Sequence, residues 1–128
     1  MEILDIWVYR EQGLGYDPAG GRDLTGYRVE ALDGSIGKID ESSNAVGQSY
    51  VIVDTGPWIF GKKVMLPAGV IQRVDEEEAK VWVDRTKDQI KNAPEFDESM
   101  LSDPGYRDEL GTYYGPGGSG YRESQDSI

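Results

Sequence analysis

Apolar residues in this chain come in short runs separated by turn-forming residues. Between residues 23 and 92 the runs are rich in β-branched and aromatic side chains, which is typical of strands. Asp33-Gly34 separates two of these runs and suits a tight hairpin turn, because glycine tolerates a positive φ. Residues 48–54 predict the next strand, and the unbroken apolar stretch within it, 50–53, indicates burial on both faces. A further strand is predicted at residues 62–66.

Residues 70–84 predict two more strands, joined by the acidic turn at 75–78. Val81 and Val83 would share one face of the last strand, with Trp82 on the opposite face. The whole pattern therefore predicts about six short strands. Their spacing is that of a small barrel and not of an alternating β/α sheet.

One short helix is predicted after the strands. Thr86 and Gln89 have the spacing of a capping box, in which each side chain accepts a hydrogen bond from the other residue's backbone N–H. Asn92-Ala93-Pro94 ends the helix after about two turns, because the residue before a proline disfavours helical dihedrals. Ile90 is expected to be its main contact with the core.

The flanks differ from the middle in composition. Residues 1–22 contain "ILDIWVY", which is apolar enough to pack on the barrel or add a strand. A barrel of this size without a staple supplies only about 3–5 kcal/mol, so this packing or a homodimer would add stability. Residues 99–128 are rich in Gly, Ser, Tyr and acidic residues, which predicts a flexible tail. We therefore expect an N-terminal segment (1–22), a barrel domain (23–98) and a tail (99–128).

Several stretches together resemble the PRC-barrel family: "LTGYRVEALDGSIGKID", "YVIVDTG", "FGKKVMLPAGVIQRVDEEEAKVWVDRT" and "KDQIKNAPEFD". The resemblance covers roughly residues 23–98, and the whole chain is similar to short stand-alone bacterial members of actinobacterial type. The family includes the barrel of the photosynthetic reaction centre H subunit and the C-terminal barrel of the ribosome maturation factor RimM. The resemblance implies a mostly β fold: a small, closed, SH3-like barrel of about six strands, with one short C-terminal helix and flexible flanks. It also implies docking onto other proteins, and it brings no catalytic residues.

The net charge of the chain and the residue types that it contains argue against several classes of function. The net charge of −11 argues against nucleic acid and anionic membranes as partners. No apolar run approaches the ~20 residues that span a bilayer, and acidic residues near the start argue against export, so a cytoplasmic location is expected. The chain has no Cys and no His, so Ser35 or Ser49 would lack an ordinary base for nucleophilic catalysis. An enzyme is not expected, nor a cofactor.

The loop between the third and fourth strands is the predicted partner contact. Trp58, Ile59 and Phe60 are large apolar residues in a segment that is normally polar, and Lys62 and Lys63 follow them. Large rigid side chains supply most binding energy at interfaces, and the lysines could steer an acidic partner. The alternative is that the loop plugs an end of the barrel. Both hold if Ile59 and Phe60 face inward while Trp58 faces outward.

Two further candidates come from the tail and the turns. Tyr113 and Tyr114 could belong to a short motif that docks onto another protein or folds back on the barrel. The acidic turn 75–78, with Asp40 and Glu41 in another loop, could offer oxygen ligands to a divalent cation. Solvated turns explain these acidic residues better, so no metal site is predicted.

These observations predict a non-enzymatic, cytoplasmic protein-interaction module of the PRC-barrel type, with another protein as its partner and a homodimer as an open alternative. Two other functions compete with it. One is a ribosome-associated factor resembling the RimM barrel, which would bind a basic ribosomal protein through acidic faces. The other is a barrel that binds a small ligand or a metal ion.

Overall fold

The computed structural model describes residues 6–10, 13–17, 23–43, 48–56, 62–116 and 118–120. Its secondary structure is mainly β, with strands β1 (Arg28–Ala31), β2 (Gly34–Ser43), β3 (Tyr50–Asp54), β4 (Lys63–Pro67), β5 (Ile71–Asp75) and β6 (Lys80–Val83). Two α-helices follow, α1 (Lys87–Lys91) and α2 (Pro104–Tyr114), and 3₁₀ turns cover Ala68–Val70 and Glu98–Met100. The prediction of a mostly β fold with about six strands is confirmed.

All six described strands belong to one sheet, in the order β4-β3-β2-β1-β6-β5. Neighbouring strands are antiparallel except β1 and β6, which run parallel with Val29 opposite Val81. β4 and β5 are the two edges, and among the described strands no hydrogen-bonded pair joins them. The sheet is thus not closed by a hydrogen-bonded pairing of its edge strands.

The β1–β2 hairpin turns at Leu32 and Asp33, and Ala31 lies opposite Gly34. Gly34 opens β2 with φ of 144°, so the predicted hairpin is present with its turn one residue earlier than Asp33-Gly34. A bulge follows, and Gly37 has φ of 140°. A Cβ at Gly37 would lie 2.1 Å from the carbonyl oxygen of Asp54, so the absence of a side chain lets β2 and β3 approach here.

The centre of the core is β3. Val51, Ile52 and Val53 are all fully buried. Successive strand residues face opposite sides of a sheet, so the burial of all three means that both faces of β3 are covered. The predicted two-sided burial of this strand is confirmed.

β5 and β6 form a second hairpin around the acidic turn. Asp75 Oδ1 accepts hydrogen bonds from the backbone N–H groups of Glu77 and Glu78, both at 3.0 Å. Val81 and Val83 are buried, and Trp82 between them is half-buried on the opposite face. The predicted strands, turn and facing are confirmed.

The capping box of α1 is present as predicted. The Gln89 backbone N–H donates to Thr86 Oγ1 at 3.1 Å, and the Thr86 backbone N–H donates to Gln89 Oε1 at 2.9 Å. Ile90 is buried, and it is the buried residue of this helix. The capping box therefore fixes where the chain leaves the sheet and begins the helix.

Described residues near the N-terminus pack against the sheet. Tyr9, Leu14 and Tyr16 are buried. The Val74 backbone N–H donates to the Leu14 carbonyl oxygen at 2.6 Å, and the Gly69 N–H donates to the Ile6 carbonyl oxygen at 2.7 Å. The bond at Val74 lies on β5, so it covers part of an edge strand that would otherwise present free backbone groups.

The C-terminal region differs from the expected flexible tail and single helix, because residues 104–114 form the second helix, α2. Its buried side chains are Tyr106, Leu110 and Tyr114, four residues apart and so on one helical face. Tyrosine rings bury large apolar areas. Expecting disorder from the scarcity of aliphatic residues therefore underestimated what this segment can bury.

Candidate functional site

The predicted contact loop lies between β3 and β4. Trp58, Ile59 and Phe60 fall outside the described residues, so their role stays a prediction. At the near end of the loop, Thr55 is buried, and its hydroxyl donates to the Lys62 carbonyl oxygen at 2.6 Å. The two ends of the loop are therefore held together at Thr55 and Lys62.

Lys62 and Lys63 both have carboxylate partners within this chain. Lys62 Nζ lies 3.0 Å from Glu95 Oε1, and Lys63 Nζ donates to Asp40 Oδ2 at 2.8 Å. The hydrogen bond to Asp40 is the main influence that raises the pKa of Lys63. Ion pairs that are exposed, like that of Lys62, or half-buried, like that of Lys63, contribute little to stability, so a partner could replace either carboxylate.

Tyr113 and Tyr114 lie at the end of α2 and not on a free segment. Tyr114 is fully buried, and Tyr113 is half-buried with its hydroxyl donating to the Gln89 carbonyl oxygen at 2.7 Å. The two rings meet edge-on, with centroids 5.0 Å apart. Burial raises the pKa of both hydroxyls. A docking role for this pair would require α2 to open from the domain.

Arg85 joins the sheet to the C-terminal segment. It is 2 % exposed, its Nε donates to the Gly120 carbonyl oxygen at 2.6 Å, and its Nη2 donates to the Tyr114 carbonyl oxygen at 3.0 Å. Its Nη1 binds the carboxylate of Asp84, which also binds Nη2 of Arg10. One carboxylate therefore bridges two guanidinium groups, from the N-terminal segment and from the end of β6.

An open groove of about 520 Å³ lies on the outer face of the β5–β6 hairpin, lined by Arg10, Gly13, Gln72, Arg73 and Trp82. Arg73 lies opposite Trp82 in the strand register. Its guanidinium carbon is 4.1 Å from the centroid of the Trp82 ring, which is a cation–π contact. We call this surface the Arg73–Trp82 groove.

The Arg73–Trp82 groove was not among the sites predicted from the sequence. The sequence offered one indication of it: Trp82 was predicted to face away from Val81 and Val83, and Arg73 lies on the preceding strand of the same hairpin. To predict the contact, one must know the register of β5 against β6, and the bulge between Ile71 and Arg73 shifts this register by one residue. Which side chain stacks on Trp82 therefore could not be deduced from spacing alone.

Neither metal ligation nor a membrane span is found in the part of the chain that the structure describes. Its Asp and Glu side chains form no group of three or more that could hold a metal ion. The carboxylates considered for a cation are used otherwise: Asp75 accepts backbone hydrogen bonds within its turn, and Asp40 binds Lys63. No helix in this part is long and apolar enough to cross a membrane.

No model of a protein family matches the chain, and no curated protein matches it. What the chain does must therefore be inferred from its own residues, and the Arg73–Trp82 groove is the most informative surface among the described ones.

Proposed function

We propose that this chain is a non-enzymatic protein-docking module of the PRC-barrel type, and that its partner contact includes the Arg73–Trp82 groove. The observation that carries the proposal is the exposed Arg73 stacked on the half-buried Trp82. Trp and Arg are the residue types that most often dominate binding energy at protein interfaces. Both sit on paired strands, so their backbone is already ordered before binding, and the contact with the Trp82 ring restricts the Arg73 side chain.

Closure of the sheet into an SH3-like barrel is part of this proposal. The edge strands β4 and β5 are consecutive in the chain, separated only by the 3₁₀ turn Ala68–Val70. Four residue steps, from Pro67 to Ile71, span at most about 14 Å. In a flat sheet of six strands the two edges would lie about 24 Å apart. This difference supports a sheet that curls until its edges approach each other.

The loop carrying Trp58, Ile59, Phe60, Lys62 and Lys63 remains a second proposed contact. Two observations are compatible with it: the ion pair of Lys62 is exposed and that of Lys63 is half-buried, and the loop ends are held at Thr55. Another protein as partner and a cytoplasmic location belong to the same proposal.

Site-specific photo-cross-linking in cells would test the docking function. A photoreactive phenylalanine analogue replaces Gln72 in the groove, Trp58 in the loop, or the exposed Thr112 on α2 as a control. We expect one protein to be cross-linked from position 72, and not from position 112. Adducts from position 58 alone would move the contact to the loop. No adduct from 72 or 58, or the same adducts from all three positions, would contradict the docking function.

The cross-linked species also separate the competing functions. Adducts with ribosomal proteins would support the ribosome-associated alternative. A barrel that binds a small ligand is the other alternative. That alternative predicts no protein adduct at position 72, together with a thermal shift of the purified chain by a small ligand.

A further inference from the structure

We infer that the partner segment recognised by the Arg73–Trp82 groove carries a single carboxylate flanked by apolar side chains. The inference rests on the proposed docking function and names the chemistry of its ligand. It follows from the unused donors of Arg73, the positive charge of the two arginines that line the groove, the acidic residues around it, and the open space beside Gly13.

Arg73 has donors to offer. A guanidinium stacked on a ring uses its face for that contact, while its N–H groups lie in its plane and stay available to an acceptor. In the described part of the chain Arg73 contacts the Trp82 ring and has neither an ion pair nor a side-chain hydrogen bond. A carboxylate can accept two parallel hydrogen bonds from such a group, which is the strongest pairing available to it.

The second arginine of the groove is already engaged. Arg10 Nε donates to the Gly69 carbonyl oxygen at 3.1 Å, and its Nη2 binds Asp84. Asp84 is shared with Arg85, so one negative charge faces two positive ones before Arg73 is counted. The charged residues among those that line the groove, Arg10 and Arg73, are both positive.

The surroundings limit how acidic the ligand can be. Glu30 on β1 lies opposite Trp82 in the register, and Asp75 lies two residues beyond Arg73 on β5. These carboxylates and the net charge of the chain would repel a segment with several negative charges. A segment with one carboxylate gains the contact with Arg73 at little cost in repulsion.

The groove has space for an apolar side chain of the ligand next to the carboxylate. Gly13 lines the groove without a side chain, and a Cβ placed there would meet no atom within 4 Å. The half-buried Trp82 ring offers apolar surface in the same groove. An apolar side chain next to the carboxylate would therefore cover surface that is now exposed to water.

NMR titration of the full chain with defined peptides would test this inference. The probe is an end-capped Ala-Leu-Glu-Leu-Ala pentapeptide, compared with the same peptide carrying Gln and with an end-capped penta-Glu. The proteins are the wild type, Arg73→Gln, and Lys91→Gln as a matched loss of one exposed positive charge on α1. Amide signals outside the groove report that each variant is folded.

We expect the single-Glu peptide to shift the amide signals of Gln72, Arg73 and Trp82. The Gln peptide should bind about tenfold more weakly, as should the single-Glu peptide with Arg73→Gln, because a charge-assisted hydrogen bond is lost. Lys91→Gln should leave the affinity unchanged, and penta-Glu should bind less tightly than the single-Glu peptide at low salt.

Equal affinity of the Glu and Gln peptides, or no effect of Arg73→Gln, would overturn the inference. So would shifts of the same signals on raising the concentration of the chain alone, because a second copy would then fill the groove. A protein cross-linked at position 72 whose captured segment lacks a carboxylate would refute this inference and leave the docking function standing. Carboxylate-dependent peptide binding without any protein adduct at 72 or 58 would refute the docking function instead.

Discussion

Arg85 and Tyr114 have polar groups that are buried near the end of α2, and they differ in their hydrogen-bond partners. Arg85 donates to the carbonyl oxygens of Tyr114 and Gly120 and binds Asp84, so its buried charge is compensated. The Tyr114 hydroxyl is buried and has no hydrogen-bond partner in the described part of the chain. A buried polar group without a partner costs about 1–3 kcal/mol. Arg85 therefore stabilises the packing of α2 on the sheet, whereas the buried hydroxyl of Tyr114 destabilises it.

Tyr114→Phe is expected to raise the free energy of unfolding by about 1 kcal/mol, because it removes the unpaired hydroxyl and keeps the ring. Tyr106→Phe on the same helix is the matched control: its hydroxyl donates to the Pro94 carbonyl oxygen at 3.2 Å. This control should lower the free energy of unfolding by about 1 kcal/mol. Urea denaturation measures both, and changes of the same sign would contradict the assignment.

Among the secondary-structure elements, Gly37 and Gly111 both lie close to a neighbouring segment: a Cβ would clash with backbone at Gly37 and would be tightly packed at Gly111. Gly37 lies in β2 against the backbone of β3, and Gly111 lies in α2, where a Cβ would be 3.1 Å from Trp7 Nε1. Glycine in the middle of a helix costs about 1 kcal/mol in propensity relative to Ala. Its presence in α2 is explained by the close packing of the helix on the N-terminal segment.

Gly37→Ala is expected to destabilise the fold more than Gly34→Ala, by about 1–3 kcal/mol. Both glycines have positive φ, so both substitutions strain the backbone. Only at Gly37 would the new Cβ meet backbone, because at Gly34 the nearest atom is Lys87 Cδ at 3.5 Å. Thermal or urea unfolding of the pair measures the difference. Equal losses of stability would mean that β2 and β3 do not approach closely at this point.

Local signals predicted the strands and α1 well, since β-branched runs, a turn and a capping box act between near neighbours. α2 was missed, although Tyr106, Leu110 and Tyr114 have helical spacing, because the expectation of a flexible tail rested on composition, with few aliphatic residues and many Gly, Ser and acidic ones. The parallel pairing of β1 with β6 and the stacking of Arg73 on Trp82 depend on register between strands. Long-range register leaves no local trace in the sequence, so neither could be predicted.

For the molecule as a whole, buried tyrosines tie the two flanking segments to the sheet. Tyr9 in the N-terminal segment and Tyr106 and Tyr114 in α2 are buried. Burial disfavours the phenolate and raises the pKa of all three hydroxyls above the ordinary value. The free energy of unfolding of the whole domain is therefore expected to decrease at alkaline pH.

The free energy of unfolding is expected to be insensitive to these hydroxyls below about pH 10, where folded and unfolded chains both keep their protons. Above that pH the unfolded chain loses protons that the folded chain retains, so stability falls as pH rises toward the raised pKa values. Urea unfolding at pH 8, 10 and 11, followed by circular dichroism, measures this loss. Tyr106→Phe should show a shallower decline than the wild type. If the free energy of unfolding of Tyr106→Phe falls with pH as steeply as that of the wild type, Tyr106 does not contribute to the loss of stability at alkaline pH.

The bonds of Arg85 also have a consequence for the newly made chain. Gly120 follows Arg85 by 35 residues, so about 2–7 s of synthesis separate them at ordinary rates of translation. During that interval all six strands have been synthesised, and Arg85 has Asp84 to bind but not the carbonyl groups of residues 114 and 120. Until those carbonyl groups are made, the guanidinium of Arg85 lacks two of its hydrogen-bond acceptors. The packing of α2 against the end of β6 therefore depends on residues that are made well after the six strands.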